Sequence, residues 1–155
     1  MIVKYSLAAL LASAITAPSF AQPVELVTKV FTERRVAAKD GTTRLELKAS
    51  GHAVPGDRIV YAVSYRNTGA QPVDNFVLAN PVPQGIVFAA PGEGGAIPEL
   101  SVDGRTFGPL VALRVTAPGG ARAARLEDVR AVRWRLDRPL APGASGTFSF
   151  RAVVR

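Results

Sequence analysis

Apolar side chains recur at every second position through most of this chain, in short runs cut by Pro, Gly, Asp and Asn. Leu45, Leu47 and Ala49 alternate with Arg44, Glu46 and Lys48; Ile59, Tyr61, Val63 and Tyr65 alternate with Val60, Ala62 and Ser64. Val132, Trp134 and Leu136 alternate with Arg133, Arg135 and Asp137. Phe148, Phe150, Ala152 and Val154 do the same against Thr147, Ser149, Arg151 and Val153. Two is the strand period, because successive side chains of an extended chain point to opposite faces. No segment sustains the three-and-four spacing of a helix. The chain therefore reads as all-β, an antiparallel β-sandwich of about seven to nine short strands.

The punctuation supports this reading. Lys39-Asp40-Gly41-Thr42 and Asp103-Gly104 are hairpin signals, since Asp-Gly supplies left-handed positions. Pro55-Gly56-Asp57, Asn67-Thr68-Gly69, the Pro83–Gly85 stretch and Pro142-Gly143-Ala144-Ser145-Gly146 read as structural turns, in which proline presets φ and glycine relaxes it. Asp57 and Asn67 are expected to bind backbone amides just beyond themselves. Residues 24–36 make one long strand or two short ones, and 43–49 a strand half-buried through its leucine face. Residues 58–66 form a central strand and 73–80 another, with Phe76 and Leu78 inward. Pro81 and Pro83 then forbid ladder pairing, and 86–89 is a further strand. Residues 110–125 are the least legible: 110–115 has strand character, and 121–129 allows a short helical turn. Trp134 belongs in the core with its N–H on a backbone carbonyl.

Taken in order, Pro55-Gly56-Asp57, Val60-Tyr61, Asn67-Thr68-Gly69, Asn80 to Gly85, Trp134-Arg135-Leu136 and Leu140 to Gly146 carry a resemblance. Over residues 50–155 the chain resembles the bacterial surface-repeat domain of unknown function, number eleven in that series. The resemblance implies an immunoglobulin-like sandwich and implies no activity. Members of that family commonly occur as tandem repeats, whereas no second copy is found within this chain.

The first residues read as an export signal. Lys4 supplies a positive start, 7–15 is mostly apolar, and Ser19-Phe20-Ala21 offers small residues at a cleavage site after Ala21. Ser13, Thr16, Pro18 and Ser19 break the apolar run short of the roughly 20 residues a spanning helix needs. No transmembrane segment is expected once 1–21 is removed, and 22–155 forms a single domain in the periplasm or outside the cell. The chain has no cysteine, so packing and sheet hydrogen bonds must hold it without staples.

Charge is unevenly spread. Through Gly104 nine basic residues balance nine acidic ones; beyond it stand ten Arg against Glu127, Asp128 and Asp137. Outward Arg on strands solubilises edges and deters pairing between molecules. The same residues could also meet an anionic partner, with Arg105, Arg114, Arg133 and Arg135 as the contacts.

Residue chemistry offers little else. His52 is the only histidine, so it would have to serve any triad, with Ser50 beside it. Gly143-Ala144-Ser145-Gly146 lacks the spacing of a nucleophile elbow. Glu93 and Glu99 flank a glycine-rich loop, a poor platform for paired-acid glycosidase work. No cofactor or metal is expected; a calcium ion between Asp57 and Asp74, or an isopeptide bond joining Lys29 or Lys48 to Asn75, are the residual alternatives. Nucleic acid is not an expected partner, because alternation separates Trp134 from Arg133 and Arg135. The reading is an exported, non-catalytic sandwich that contacts an envelope protein, through an edge strand or the Arg-bearing strands. The alternative is a glycan- or polyanion-binding module using the basic third.

Overall fold

The run with bulky residues on one face and small ones on the other becomes the central strand. In the computed structural model, which describes residues 23–49, 52–93 and 95–155, ten strands form. They are β1 (Val24–Ala37), β2 (Thr43–Ala49), β3 (Arg58–Asn67), β4 (Val77–Pro81), β5 (Ile86–Pro91), β6 (Glu99–Ser101), β7 (Arg114–Ala117), β8 (Gly120–Ala123), β9 (Ala131–Arg135) and β10 (Ser145–Val154). One sheet runs β2-β1-β3-β10-β5 and the other β4-β9-β6, while β7 and β8 form a separate hairpin. All the pairings are antiparallel. The architecture is an antiparallel β-sandwich whose eight sheet strands fall in the expected range, with the hairpin added. The leader assigned to residues 1–21 lies outside the described residues, in which no helix is long and apolar enough to cross a membrane.

Alternation sorts the core as the pattern demands. Ile59, Val63 and Tyr65 of β3 and Phe148, Phe150 and Ala152 of β10 meet Leu78, Leu100, Val132 and Trp134 of the smaller sheet. Burying each large side chain contributes about 2–3 kcal/mol. Trp134 lies parallel to Phe148, with ring centres 5.2 Å apart, which ties β9 to β10 across the two sheets. Its indole N–H donates to the Ala96 carbonyl at 3.1 Å, as expected for a buried indole.

Four local expectations need correction. β2 is not half-buried: every residue of it is exposed, because register sets its leucines beside Glu33 and Arg35, on the face of the five-stranded sheet turned away from the smaller one. Asp103-Gly104 does not close a two-residue hairpin. The Asp103 carboxylate accepts the amides of Arg105 and Thr106, both at 2.8 Å, so the chain returns only through a single bridge of Leu100 to Gly108. The strand expected at 73–80 begins at Val77, because Asn75 takes a left-handed conformation with φ 51° and interrupts the ladder. Pro81 is the last ladder residue of β4, opposite Ala131, and Val82 adds one further bond to the Arg130 carbonyl before Pro83 ends the pairing. The illegible stretch resolves into a 3₁₀ turn at Leu110–Ala112, the β7–β8 hairpin and a second 3₁₀ turn at Leu126–Asp128.

Candidate functional site

β1 is longer than the strand it lies against. It pairs with β3 only as far as Thr32 opposite Ile59; beyond that point its sole partner is β2. Residues 33–47 therefore project as a two-stranded arm. Register places Glu33 opposite Leu47 and Arg35 opposite Leu45, on the face away from the core. The arm turns through Ala38–Thr42, where Gly41 takes φ 80° and the Asp40 carboxylate accepts the Thr42 amide and hydroxyl. Those bonds hold the Asp40 carboxyl below its usual range.

Beneath the arm lies an amphipathic groove. The Glu33 side chain is only 5% exposed, and its carboxylate sits 2.7 Å from the Arg151 guanidinium of β10. Arg151 also donates to Glu93 at 2.8 Å, so one cation is held between two anions. Leu45, Leu47, Val60 and Ser149 complete a cavity of about 280 Å³ around this cluster. An adjoining recess of about 340 Å³ adds Arg35, Asp57 and Arg58. Leu45 and Leu47 are each 52% exposed, so the wall formed by the arm has no partner among the described residues. Sequence reasoning missed Glu33, Glu93 and Arg151 as a group. The available signal was an Arg amid the small outward residues of β10, whereas Glu33 is one of several charged residues in β1 and does not stand out.

The basic third is more neutralised than its composition suggests. Arg133 donates to Glu99 at 2.8 Å and lies 4.3 Å from the Phe107 ring centre. Arg114 folds back onto the carbonyls of Val111 and Leu113. Arg122 grips Asp128 through two hydrogen bonds of 2.6 and 2.7 Å, which holds the Asp128 carboxyl well below its usual range. Among the described residues, Arg105 and Arg135 are exposed and meet no carboxylate within 4 Å. Of the four Arg singled out from sequence, Arg114 and Arg133 are thus engaged within the chain. A tighter basic cluster forms elsewhere: Arg130 and Arg155 line a cavity of about 410 Å³ with Glu127, whose carboxylate pairs with Arg155 at 3.1 Å and Arg125 at 3.8 Å.

The turn residues act on geometry. Asn67 is fully buried: its amide donates to the carbonyls of Gln71 and Leu140, both at 2.8 Å, and its carbonyl oxygen accepts the Gly69 amide at 2.9 Å. The Gly143 amide bonds the Asn67 carbonyl at 2.9 Å, so the two turns are stitched together. A Cβ on Gly69 would lie 2.7 Å from Pro23, which excludes any larger residue without rearrangement. Asp57 accepts the Val54 amide, behind it in sequence and not ahead as expected, and thereby closes the Pro55-Gly56 turn. Gly85, after Pro83, accepts the Arg155 amide, and Pro142 leads into the left-handed Gly143.

The remaining chemical candidates are not brought together. His52 is exposed, and Ser50 lies outside the described residues. Glu93 and Glu99 are each held by a different Arg. Lys29, Lys48 and Asn75 are all exposed, so the dry surroundings an isopeptide bond requires are missing at each. Among the described residues no group of three or more His, Cys, Asp or Glu is placed to hold a metal ion. Trp134 is buried, on the face opposite Arg133 and Arg135. No family model, no curated protein and no solved structure matches the chain.

Proposed function

We propose that this chain is an exported, non-catalytic β-sandwich that works through protein–protein contacts at the cell envelope, docking partners along the β1–β2 arm. The observation that carries the reading is the exposed β2, with Leu45 and Leu47 open to solvent beside the Glu33–Arg151 groove. The outer edge of a strand paired on one side offers a row of amides and carbonyls to an added strand, while the groove beside it supplies side-chain selectivity. The apolar leader ending at Ala21 supports export, and the four turn motifs, with Val60-Tyr61 and Trp134-Arg135-Leu136 between them, support kinship with the immunoglobulin-like surface-repeat family. A photoreactive residue at position 47 should trap a partner in the envelope fraction, and one at the still more exposed Val111 should not. Equal trapping at both positions would remove the arm as the contact. Mature protein recovered from the periplasm or medium should begin at Gln22.

One observation favours a second reading, an anionic glycan or other polyanion held by the basic third. Arg130 and Arg155 converge on the largest of these cavities, with Arg125 close to its Glu127 wall. Binding there should fall at least tenfold between about 0.05 and 0.5 M salt, as screening shortens the reach of exposed charges. Binding indifferent to salt would eliminate this reading.

A further inference from the structure

We propose that β2 pairs antiparallel with β2 of a second copy of this chain, about a two-fold axis through Leu47, fusing two five-stranded sheets into one. This rests on the edge-docking reading above and names its partner. The sheet edges are unequal. β5 ends in Pro91 and packs against the 126–128 turn. β4 has five residues and ends in Pro81, and β6 has three residues and is already bridged onward to Gly108. β2 alone among them offers seven exposed residues with no proline.

Backbone direction fits. The Ala38 amide bonds the Thr42 carbonyl at 2.7 Å, and this sets the alternation of the ladder that follows. In an antiparallel ladder, bonded and non-bonded pairs alternate. The residues opposite Ala37, Arg35, Glu33 and Phe31 are therefore non-bonded toward β1. Those residues are Thr43, Leu45, Leu47 and Ala49, and their amides and carbonyls face the open edge. Around Leu47 they would bond in register: Leu47 opposite Leu47 of the second copy, and Leu45 opposite its Ala49. The apolar side chains would then form one continuous strip on the groove face.

Charge selects this register. With the axis on Leu47, Glu46 faces Lys48 of the other copy, and the pair occurs twice. An axis on Glu46 sets Glu46 against Glu46 and Arg44 against Lys48, two kinds of like-charge contact. An axis on Leu45 pairs Arg44 with Glu46, but it carries Lys48 and Ala49 into Thr42 and Gly41, where the chain is already turning back to β1. An isologous pair of this kind closes on itself, whereas open strand addition would propagate.

The chain has no cysteine, so single-cysteine variants read register directly. Under mild oxidation Leu47→Cys should give a disulfide-linked dimer. Leu45→Cys should not, because two such residues would lie roughly 13 Å apart along the strands, beyond disulfide reach. In sedimentation experiments Glu46→Lys should weaken the dimer by about tenfold and Lys48→Glu likewise, while the double swap restores it. Unchanged Trp134 fluorescence in each variant establishes that the fold is intact. Crosslinking at position 45 but not 47, or a double swap that fails to restore the dimer, overturns the register. A chain that stays monomeric at all concentrations overturns the second copy. If the photoreactive residue at position 47 still traps an envelope protein in that monomer, edge docking stands with another partner; if it traps nothing, both readings fall.

Discussion

Removing the Asn67 carboxamide would take one of two donors from the buried Leu140 carbonyl and leave the half-buried Gly69 amide and the Gln71 carbonyl without the partner it supplies. A buried polar group left unpaired costs about 1–3 kcal/mol, so Asn67→Ala should lose about 3 kcal/mol in urea unfolding. Asn67→Asp should be no better, since a carboxylate oxygen would face two carbonyl oxygens; a loss under 1 kcal/mol in both would deny the side chain its stitching role. Asp103 works differently, on the surface. Its carboxylate accepts two amides and the Ser101 hydroxyl, which hold its pKa well below the ordinary value of 3.8. Asp128 is depressed as well, by Arg122 and the Arg125 amide. A carboxyl whose folded pKa is depressed stabilises fully above its unfolded value and loses that contribution as pH falls through the folded one. Urea midpoints should therefore hold from neutrality to about pH 5 and then decline steadily below about pH 4. Asp103→Asn should be less stable than the parent at pH 6, with the gap narrowing at pH 2.5; a gap that stays constant would show that ionisation at Asp103 is irrelevant.

β10 and β2 illustrate how strand pattern converts into energy, and where it fails to. Phe150 is fully buried, stacked 4.9 Å from Tyr61 and near Phe88 and Trp134. Phe150→Ala should cost about 3–5 kcal/mol, the usual range for an emptied aromatic site. Leu47→Ser has the same alternation behind it in sequence, yet it should shift stability by less than about 0.5 kcal/mol, because half of Leu47 already faces water. Comparable losses in the two variants would mean that the arm is packed in solution. Local alternation was enough to place β3 at the centre, sort the faces of β9 and β10, and put the Trp134 N–H on a carbonyl. It could not tell that the apolar face of β2 turns away from the smaller sheet, since the side it takes is set by its register on β1 and by that of β1 on β3. Turn chemistry had the same limit. Asp103-Gly104 has hairpin composition, but nothing local reveals that the carboxylate would take the amides the ladder needed. The groove was illegible for a third reason: Glu33, Glu93 and Arg151 come from distant segments, and only the overhang of β1 past β3 brings them together.

At the scale of the molecule, the described contacts start at Pro23, just past the expected cleavage site. The Pro23 carbonyl accepts the Thr68 amide at 2.7 Å and its hydroxyl at 3.1 Å, and the Pro23 ring closes over Gly69. From Val24 onward β1 pairs residue by residue with β3. A cut after Ala21 would thus leave intact every described contact, whereas a cut a few residues later would strip the clamp on the Asn67 turn and the first rungs of the central pairing. With no cysteine to hold the ends together, those rungs have no covalent substitute. A chain starting at Gln22 should therefore unfold at the same urea midpoint as one that keeps residues 1–21. A chain starting at Thr28 loses the bonds to Thr68 and four opposed pairs, Val24 through Val27. At about 0.5–1.5 kcal/mol for each hydrogen bond lost, it should be destabilised by several kcal/mol, with increased hydrogen exchange along β3. Equal stability of the two truncations would show that the N-terminal half of β1 is dispensable to the sandwich, and that the open edge of this sheet can begin at β3.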